Sequence, residues 1–469
     1  MPDIEKYEVL VIGSGEAGKN LAWTMAGAGH RTVVVERKLI GGSCPNIACL
    51  PSKNIIHSAK VASLARRGPE FGLEFRSLEI NMAEVQRRKR TMVEDMMKIH
   101  LGKYRAAGAE LIMGTARFVA FRTAEVSLAG GGTRVIAGDR VFLNLGSRAA
   151  SPDVPGLAES RPMTHVEALD LDRLPGRLIV LGGGYVGLEL AQAMRRFGSQ
   201  VTVIEKGRQL ATREDPDVGN ALLELFRNEG IDVLLRTEIE RVEGRSGDQI
   251  QVHLKDDKGE RTLQGSDLLV ATGRMPNTRG VGLELAGIEL DSRGYVKVNE
   301  RLETTAPNVW AMGDCAGSPQ FTHVAFDDFR IVRDNLNGGA RTTRNRLVPF
   351  CMFTDPELAR VGLNESEADA RGLRYRLVKI PMSAVLRTST LSEPRGFLKM
   401  LIDARSDRIL GFTAFGVEAS ELMAAVQTAM MGDLSHALLR DAMFTHPTIA
   451  EGLTVLLANV PAQEARQAA

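Results

Sequence analysis

The chain has 469 residues, too many for one hydrophobic core, so two to four domains are expected. Hydrophobic residues make up 44%, charged residues 25%, and the net charge is +1, which gives no electrostatic reason to expect nucleic acid or a membrane as partner. Four cysteines exclude a disulfide scaffold and point to a reducing, cytoplasmic setting; no apolar run is long enough to span a bilayer, and Met1 to Lys6 lacks the apolar stretch of a signal peptide.

Tyr7 to Ile12 reads as a buried parallel strand. It enters Gly13-Ser14-Gly15-Glu16-Ala17-Gly18, then a helix through about Ala28, then a strand from Thr32 to Val35 that ends at Glu36. A lone Gly-x-Gly-x-x-Gly is weak evidence. With strand, helix, strand and acid in order it is a dinucleotide fingerprint. Gly13, Gly15 and Gly18 allow the tight turn and close approach to a pyrophosphate, the helix N-terminus adds free N–H groups, and Glu36 can accept from a ribose.

Next comes Gly41-Gly42-Ser43-Cys44-Pro45-Asn46-Ile47-Ala48-Cys49-Leu50-Pro51-Ser52-Lys53. Four residues separate Cys44 from Cys49, which fits neither a zinc site nor a Cys-x-x-Cys motif. From the residues alone, redox or metal chemistry and two unrelated buried thiols both stand. Residues 55–107 are expected to be helical, with Arg87-Arg88-Lys89-Arg90 as a solvated helix face and the methionines as packing. Leu111 onward alternates strands and turns to Gly146, and the Pro-containing stretch Ser151 to Gly156 is a candidate boundary.

The fingerprint then recurs. A strand from Leu178 to Leu181 leads to Gly182-Gly183-Gly184-Tyr185-Val186-Gly187, a helix to about Phe197, and a strand from Val201 to Ile204 ending at Glu205. In both copies the acid lies 18 residues after the third glycine, so the repeat implies two dinucleotides, or two halves of one electron relay. The second unit closes near Gly273 and Arg274. A strand ending at Gly313-Asp314 comes next, and a helix is expected to start at Thr322-His323, with His323 structural. From about Leu347 the pattern becomes α+β, with strands at Phe397 to Ile402 and Ile409 to Phe415 and a helix at Ala419 to Met431. Near its end, His446-Pro447-Thr448-Ile449-Ala450-Glu451 offers a base with an orienting acid. Cys315 and Cys351 read as buried thiols.

The cysteine segment resembles the redox-active disulfide of the class I pyridine nucleotide-disulfide oxidoreductases, among them glutathione reductase, dihydrolipoamide dehydrogenase and mercuric reductase. That family's pattern is Gly-Gly-Thr-Cys, four residues, Cys, then x-Pro-Ser-Lys; Ser43, Pro45 and Ala48 are mild departures. The resemblance covers essentially the whole chain, with motifs in family order. It implies an α/β fold of two Rossmann-like domains, for FAD and NAD(P), plus a C-terminal α+β dimerisation domain. The divisions are 1–150 for the first part of the FAD domain, 151–273 for the NAD(P) domain, 274–346 for the second FAD part, and 347–469 for the interface.

The resemblance further implies that Cys49 faces FAD and Cys44 attacks substrate, with His446 as base oriented by Glu451, and with Lys53 near the flavin paired to Glu189. Cofactor-binding positions carried over are Gly13, Gly15, Gly18, Glu36, Gly42, Ser43, Lys53, Ala116, Gly146, Ser147, Arg274, Gly313, Asp314, Thr322 and His323, with Gly182, Gly184, Tyr185, Gly187, Glu205 and Gly273. Tyr185 resembles the residue that covers the flavin in glutathione reductase. No metal site is expected. The partners are a second copy of the chain and a small disulfide oxidant, and Glu205 favours NADH, with NADPH possible through Lys206 and Arg208.

The implied function is NAD(P)H:disulfide oxidoreduction, in the manner of dihydrolipoamide dehydrogenase or a low-molecular-weight disulfide reductase. The alternatives are a mercuric reductase-like reductase of metal ions or quinones, and a redox-sensing flavoprotein without turnover. The end of the chain, Asn459 to Ala469, lacks the cysteine pair of mercuric reductases, whereas Glu451-Gly452-Leu453 and Arg213-Glu214-Asp215-Pro216 look like that branch.

Overall fold

Valines make the central strands. Val9, Val11, Val33 and Val34 are fully buried, the burial expected of parallel strands covered on both faces. The computed structural model describes residues 3–74 and 76–463. Its first sheet contains β1 (Ile4–Ile12), β2 (Thr32–Glu36), β3 (Glu110–Ala120), β4 (Thr123–Leu128), β5 (Thr133–Leu143) and β15 (Val309–Ala311). β1 pairs in parallel with both β2 and β5; β2 then pairs with β3, and β5 with β15. β4 joins β3 to β5 as an antiparallel meander.

The second sheet repeats the plan. β7 (Arg177–Leu181) lies between β8 (Gln200–Ile204) and β13 (Asp267–Val270), and β9 (Asp232–Leu234) pairs with the far side of β8, all in parallel. A separate antiparallel meander is formed by β10 (Glu238–Gly244), β11 (Ile250–Asp256) and β12 (Gly259–Gly265). A two-stranded link, β6 (Ser147–Ala149) with β14 (Arg274–Pro276), carries the chain out of the first unit and back. The last sheet is antiparallel in the order β16 (Phe350–Met352), β17 (Glu357–Gly362), β20 (Ile409–Gly416), β19 (Phe397–Asp403), β18 (Tyr375–Pro381).

Eight helices position the site. They are α1 (Glu16–Gly27), α2 (Ser43–Ile47), α3 (Cys49–Arg66), α4 (Met82–Ala107), α5 (His165–Ala168), α6 (Tyr185–Phe197), α7 (Pro216–Asn228) and α8 (Thr322–Leu336). The helical expectation for residues 55–107 holds for α3 and α4 but fails between them. Gly68-Pro69 replaces the helix with a single 3-10 turn, and Gly72 closes it in the left-handed region. Proline lacks the N–H that a continuing helix requires. Asn81 then caps α4 by accepting from the Glu84 N–H. Among the described residues no helix is long and apolar enough to cross a membrane. Residues 464–469, the end of the stretch compared above with mercuric reductases, lie outside the described residues.

One charged cluster fastens the second sheet unit to the C-terminal sheet. Lys399 on β19 is fully buried, and its Nζ donates to Asp215 at 2.8 Å and to Asp217 and Glu365 at 2.9 Å each. The three carboxylates are close enough together to suit a cation, and the lysine ammonium fills that place. Removing the ammonium strands the buried Asp215, while Asp217 and Glu365 keep some contact with water. Lys399→Met is therefore expected to lower stability by about 3 kcal/mol, the low end for breaking a buried pair. The urea midpoint and melting temperature would measure it.

Candidate functional site

The two glycine turns have the same construction. Gly13 (φ +98°) and Gly182 (φ +108°) sit where a Cβ would strike the carbonyl oxygen of Asn144 at 2.3 Å and of Ala271 at 2.5 Å. Each turn also donates one N–H to the acid of its own unit: Ser14 to Glu36 at 2.9 Å and Gly183 to Glu205 at 2.7 Å. Gly18 and Gly187 complete the match, because a Cβ on either would lie 2.2 Å from the carbonyl of Gly13 or Gly182. Both turns thus present backbone N–H groups at a helix N-terminus, the arrangement that binds a pyrophosphate.

The first turn is doubled by the cysteine segment. A Cβ on Gly42 (φ +77°) would meet the Gly15 Cα at 2.6 Å, so the two glycine loops touch backbone to backbone. Ser43 opens α2, and Ser14 Oγ ties the loops together by accepting from the Gly41 N–H at 2.9 Å. Asn144, on which the sequence pattern placed no emphasis, binds both sides: its Oδ1 accepts from Gly18 at 3.1 Å and its Nδ2 donates to the Met312 carbonyl at 2.9 Å. Its place at the end of β5, opposite the glycine turn, was the available signal.

Gly313-Asp314 follows β15 after one residue, Met312. The Gly313 N–H donates at 2.7 Å to Asp328, a fully buried carboxylate on α8 that Arg346 pairs at 2.6 Å. Burial pushes the Asp328 carboxyl up, and Arg346 opposes it. Ser147 Oγ donates to Asp314 and accepts from Arg274 Nε at 2.9 Å, so the β6–β14 link ends at the same aspartate. Gly146 and Gly273 border this link, and a Cβ on either would find open space, leaving room for a ligand. Ala116 lies on β3, three residues beyond Met113, the register partner of Glu36. These residues fit FAD: a doubled N–H cradle, an acid at the end of β2, and a second acid at the end of β15.

At the redox pair, a kink at Ala48 separates α2 from α3, so Cys44 and Cys49 fall on adjacent helices rather than on successive turns of one. The two thiols influence each other's titration. The interaction with Cys44, then the hydroxyl of Thr322 and the charge of Lys53, hold Cys49 below the usual thiol range against the effect of burial. Cys44 is pushed up by the same interaction and by burial. Thr322 Oγ1 is 3.3 Å from Cys49 Sγ, at the first turn of α8. One thiolate, at Cys49, with one proton retained at Cys44, is the state this geometry favours.

One turn after Cys49, Lys53 Nζ donates to Glu189 Oε2 at 2.7 Å and lies 4.6 Å from the Phe353 ring centre. Glu189 Oε1 accepts from the Phe353 N–H at 2.8 Å. Cys315 is fully buried as expected, whereas Cys351 is only partly buried; its thiol is raised by burial and by the charges of Glu357 and Glu189. His323 stacks on Phe321 at 5.2 Å and its Nε2 donates to the Pro349 carbonyl at 2.7 Å.

His446 and Glu451 meet, but away from the cysteines. His446 Nδ1 lies 2.8 Å from Glu451 Oε1, which assigns the proton to Nδ1 and leaves Nε2 free to accept. The imidazole is 62% exposed, and among the described residues no hydrogen bond or ion pair joins it to Cys44 within the chain. In the same C-terminal unit, Met443 is 100% exposed, Met431 73% and Leu438 55%.

Residues 7–328 match the pyridine nucleotide-disulphide oxidoreductase family, and residues 348–456 match that family's dimerisation domain. The chain is 35% identical over 467 residues to the probable pyridine nucleotide-disulfide oxidoreductase RclA of Escherichia coli, covering 97% of this chain and 100% of RclA. It is 34% identical to the mercuric reductase of Acidithiobacillus ferrooxidans, over 96% of this chain and 82% of that one. Among solved structures, the Cu(II) complex of the HOCl-induced flavoprotein disulfide reductase RclA superimposes with a TM-score of 0.88 at 34% identity, covering 97% and 99% of the two chains. LpdA from Mycobacterium tuberculosis gives 0.86 at 26% identity, over 97% and 99%.

Thr322→Val removes a donor to the Cys49 thiolate with little change in shape. Loss of a donor to the charged form raises a pKa, by about one unit for a charge-assisted bond. In the reduced protein the midpoint of thiolate ultraviolet absorbance is therefore expected to move to higher pH.

Proposed function

The chain belongs to the pyridine nucleotide-disulfide oxidoreductase family, as an FAD-dependent enzyme, and from that premise we propose that it uses NADH to reduce a small disulfide through Cys44 and Cys49. The observation that carries this reading is the cysteine pair itself, held on the adjacent helices α2 and α3 with Thr322 Oγ1 3.3 Å from Cys49 Sγ. FAD, when bound, supplies two-electron transfer between nicotinamide and disulfide. The residues proposed to hold it are those of the first glycine turn with Glu36, Gly42, Ser43, Ala116, Gly146, Ser147, Gly313 and Asp314. Arg274, bonded to Ser147, belongs with the FAD residues, and the proposed nicotinamide nucleotide site is the second turn with Glu205 and Gly273. The domain divisions 1–150, 151–273, 274–346 and 347–469 and a cytoplasmic location belong to the same reading.

The chain's own chemistry is thiol exchange. Cys44 loses its proton to Nε2 of His446 of the partner subunit, and its thiolate attacks one sulfur of the substrate. A bond forms from Cys44 to that sulfur; the other sulfur leaves and takes the proton back from the partner's His446. The Cys49 thiolate then attacks Cys44 Sγ, which closes Cys44–Cys49 and releases the second sulfur as a thiolate that takes its proton from water. Glu451 holds the imidazole tautomer throughout, as orienting acids do elsewhere.

Preference for NADH is supported at Glu205. Both its oxygens accept backbone N–H groups, from Gly183 at 2.7 Å and Gly207 at 2.6 Å, so the charge is fixed beside the ribose position. Lys206, one of the two bases that could meet a 2′-phosphate, pairs with Glu238 at 2.9 Å. The homodimer is supported by the match to a dimerisation domain and by the exposed apolar side chains of that C-terminal unit. A second reading, reduction of a thiol-bound metal ion such as Cu(II) or Hg(II), is favoured by the Cu(II) complex of RclA and by the mercuric reductases among the relatives.

The test is a panel of oxidants monitored by NADH and NADPH consumption: glutathione disulfide, lipoamide, Cu(II), Hg(II) with excess thiol, and a quinone. Sustained turnover with a disulfide, and a higher kcat/KM for NADH, are expected; turnover with metal ions alone would select the second reading, and one round of reduction without turnover would select a sensor.

Subunit mixing tests the dimer. Cys44→Ser and His446→Ala homodimers are each expected to be nearly inactive, slowed by two to four orders of magnitude for the base variant, the usual range for positioned acid–base catalysis. Mixed dimers hold one site with all residues intact, so activity should partly return. Demonstrated heterodimers without recovery would place His446 outside the partner's site.

A further inference from the structure

Tyr185 stands between the second glycine turn and the redox cysteines. It opens α6 directly after Gly184, and four residues on, along the same face, Glu189 reaches Lys53 on the cysteine helix α3. Its ring packs on Phe350 at 5.7 Å, and Phe350 stacks on Phe321 at 6.0 Å, the residue before Thr322. The phenol thus heads a chain of ring contacts that runs from the second turn to the residue before Thr322, which touches Cys49.

The phenol is not free. Its hydroxyl donates at 2.9 Å to Glu214 Oε1, a side chain only 1% exposed. Arg360 on β17 reaches the same carboxylate at 3.0 Å, and its guanidinium also lies 4.7 Å from the Phe350 ring centre. One arginine of the C-terminal sheet therefore backs both the carboxylate that holds the hydroxyl and the ring that holds the phenol face. The neighbouring residue, Asp215, is fixed by Lys399 at 2.8 Å, so the segment that carries Glu214 is anchored independently of Tyr185.

We propose that Glu214, ion-paired to Arg360, is a positioning residue that holds Tyr185 across the path from the nucleotide turn to the redox pair and so opposes nucleotide binding. The inference rests on the second glycine turn being the nicotinamide nucleotide site. A charge-assisted hydrogen bond resists displacement more than a neutral one. Glu214→Gln keeps an acceptor but removes the charge, and Tyr185→Phe removes the donor.

The experiment titrates FAD-loaded protein with NAD+, an unreactive probe, and monitors flavin absorbance in wild type, Glu214→Gln, Tyr185→Phe and the double variant. Glu214→Gln is expected to tighten NAD+ binding about tenfold, the gap between charge-assisted and neutral hydrogen bonds, and Tyr185→Phe at least as much. The double variant should bind no tighter than Tyr185→Phe, because Glu214 acts only through the phenol. Independent, additive effects would overturn the proposal, as would unchanged binding in either single variant. Should Glu214→Gln fail to fold, Tyr185→Phe alone decides. Wild type that neither binds NAD+ nor is reduced by NADH would remove the nucleotide site itself, a failure visible before any variant is compared.

Discussion

One carboxylate joins the three parts of the molecule that must act together. Glu189 sits on the helix of the second glycine turn, accepts from Lys53 on the cysteine helix, and accepts from the Phe353 N–H at the start of the C-terminal unit. Nine-tenths of its side chain is hidden from water, so each partner it lost would leave a poorly solvated charge. The lysine in turn places positive charge beside Cys49. The nucleotide turn and the thiolate are thus fixed relative to each other by electrostatics at close range, where small displacements are costly.

The duplicated turn explains how one chain can face two nucleotides towards one disulfide. Ser14 with Glu36 and Gly183 with Glu205 are the same bond made twice, and Gly13 and Gly182 are crowded by a carbonyl in the same way. The two units differ in the segments that pack against their turns. At the first, the Gly41–Gly42 loop folds back to double the cradle; at the second, Tyr185 enters the gap and the Arg213–Asp215 segment closes behind it.

Motifs of fixed spacing were legible in the sequence because the backbone geometry they need is local. The glycine turns, their acids and the cysteine segment each depend on residues within a few dozen positions. Lys53–Glu189 and His446–Glu451 came from a family likeness, and each pair meets here at hydrogen-bond distance. The residues that support them were not legible. Asn144, Asp328, Arg346 and Arg360 act through single side chains with no periodic signature, and Arg360 does so between units. Glu214 stood in a stretch distinguished only by its likeness to one branch of the family. Cys351 looked like any core thiol, yet lies within electrostatic reach of Lys53 and Glu189, which only the chain's return path reveals. The helix expected over residues 55–107 broke at Gly68-Pro69, where local chemistry overrode a periodic pattern.

Lys399 has a bearing on how this chain can be divided. It lies on a strand of the C-terminal sheet, yet its three carboxylate partners include two that start α7 in the second sheet unit. Arg360 stands in the same relation to Glu214, and Phe353 to Glu189. The C-terminal sheet is therefore a reservoir of donors and counter-charges for its neighbour, and a fragment ending before residue 347 would inherit acids without their cations. Although the sheets look like separable modules, a gene cut between them would not yield a self-sufficient nucleotide unit.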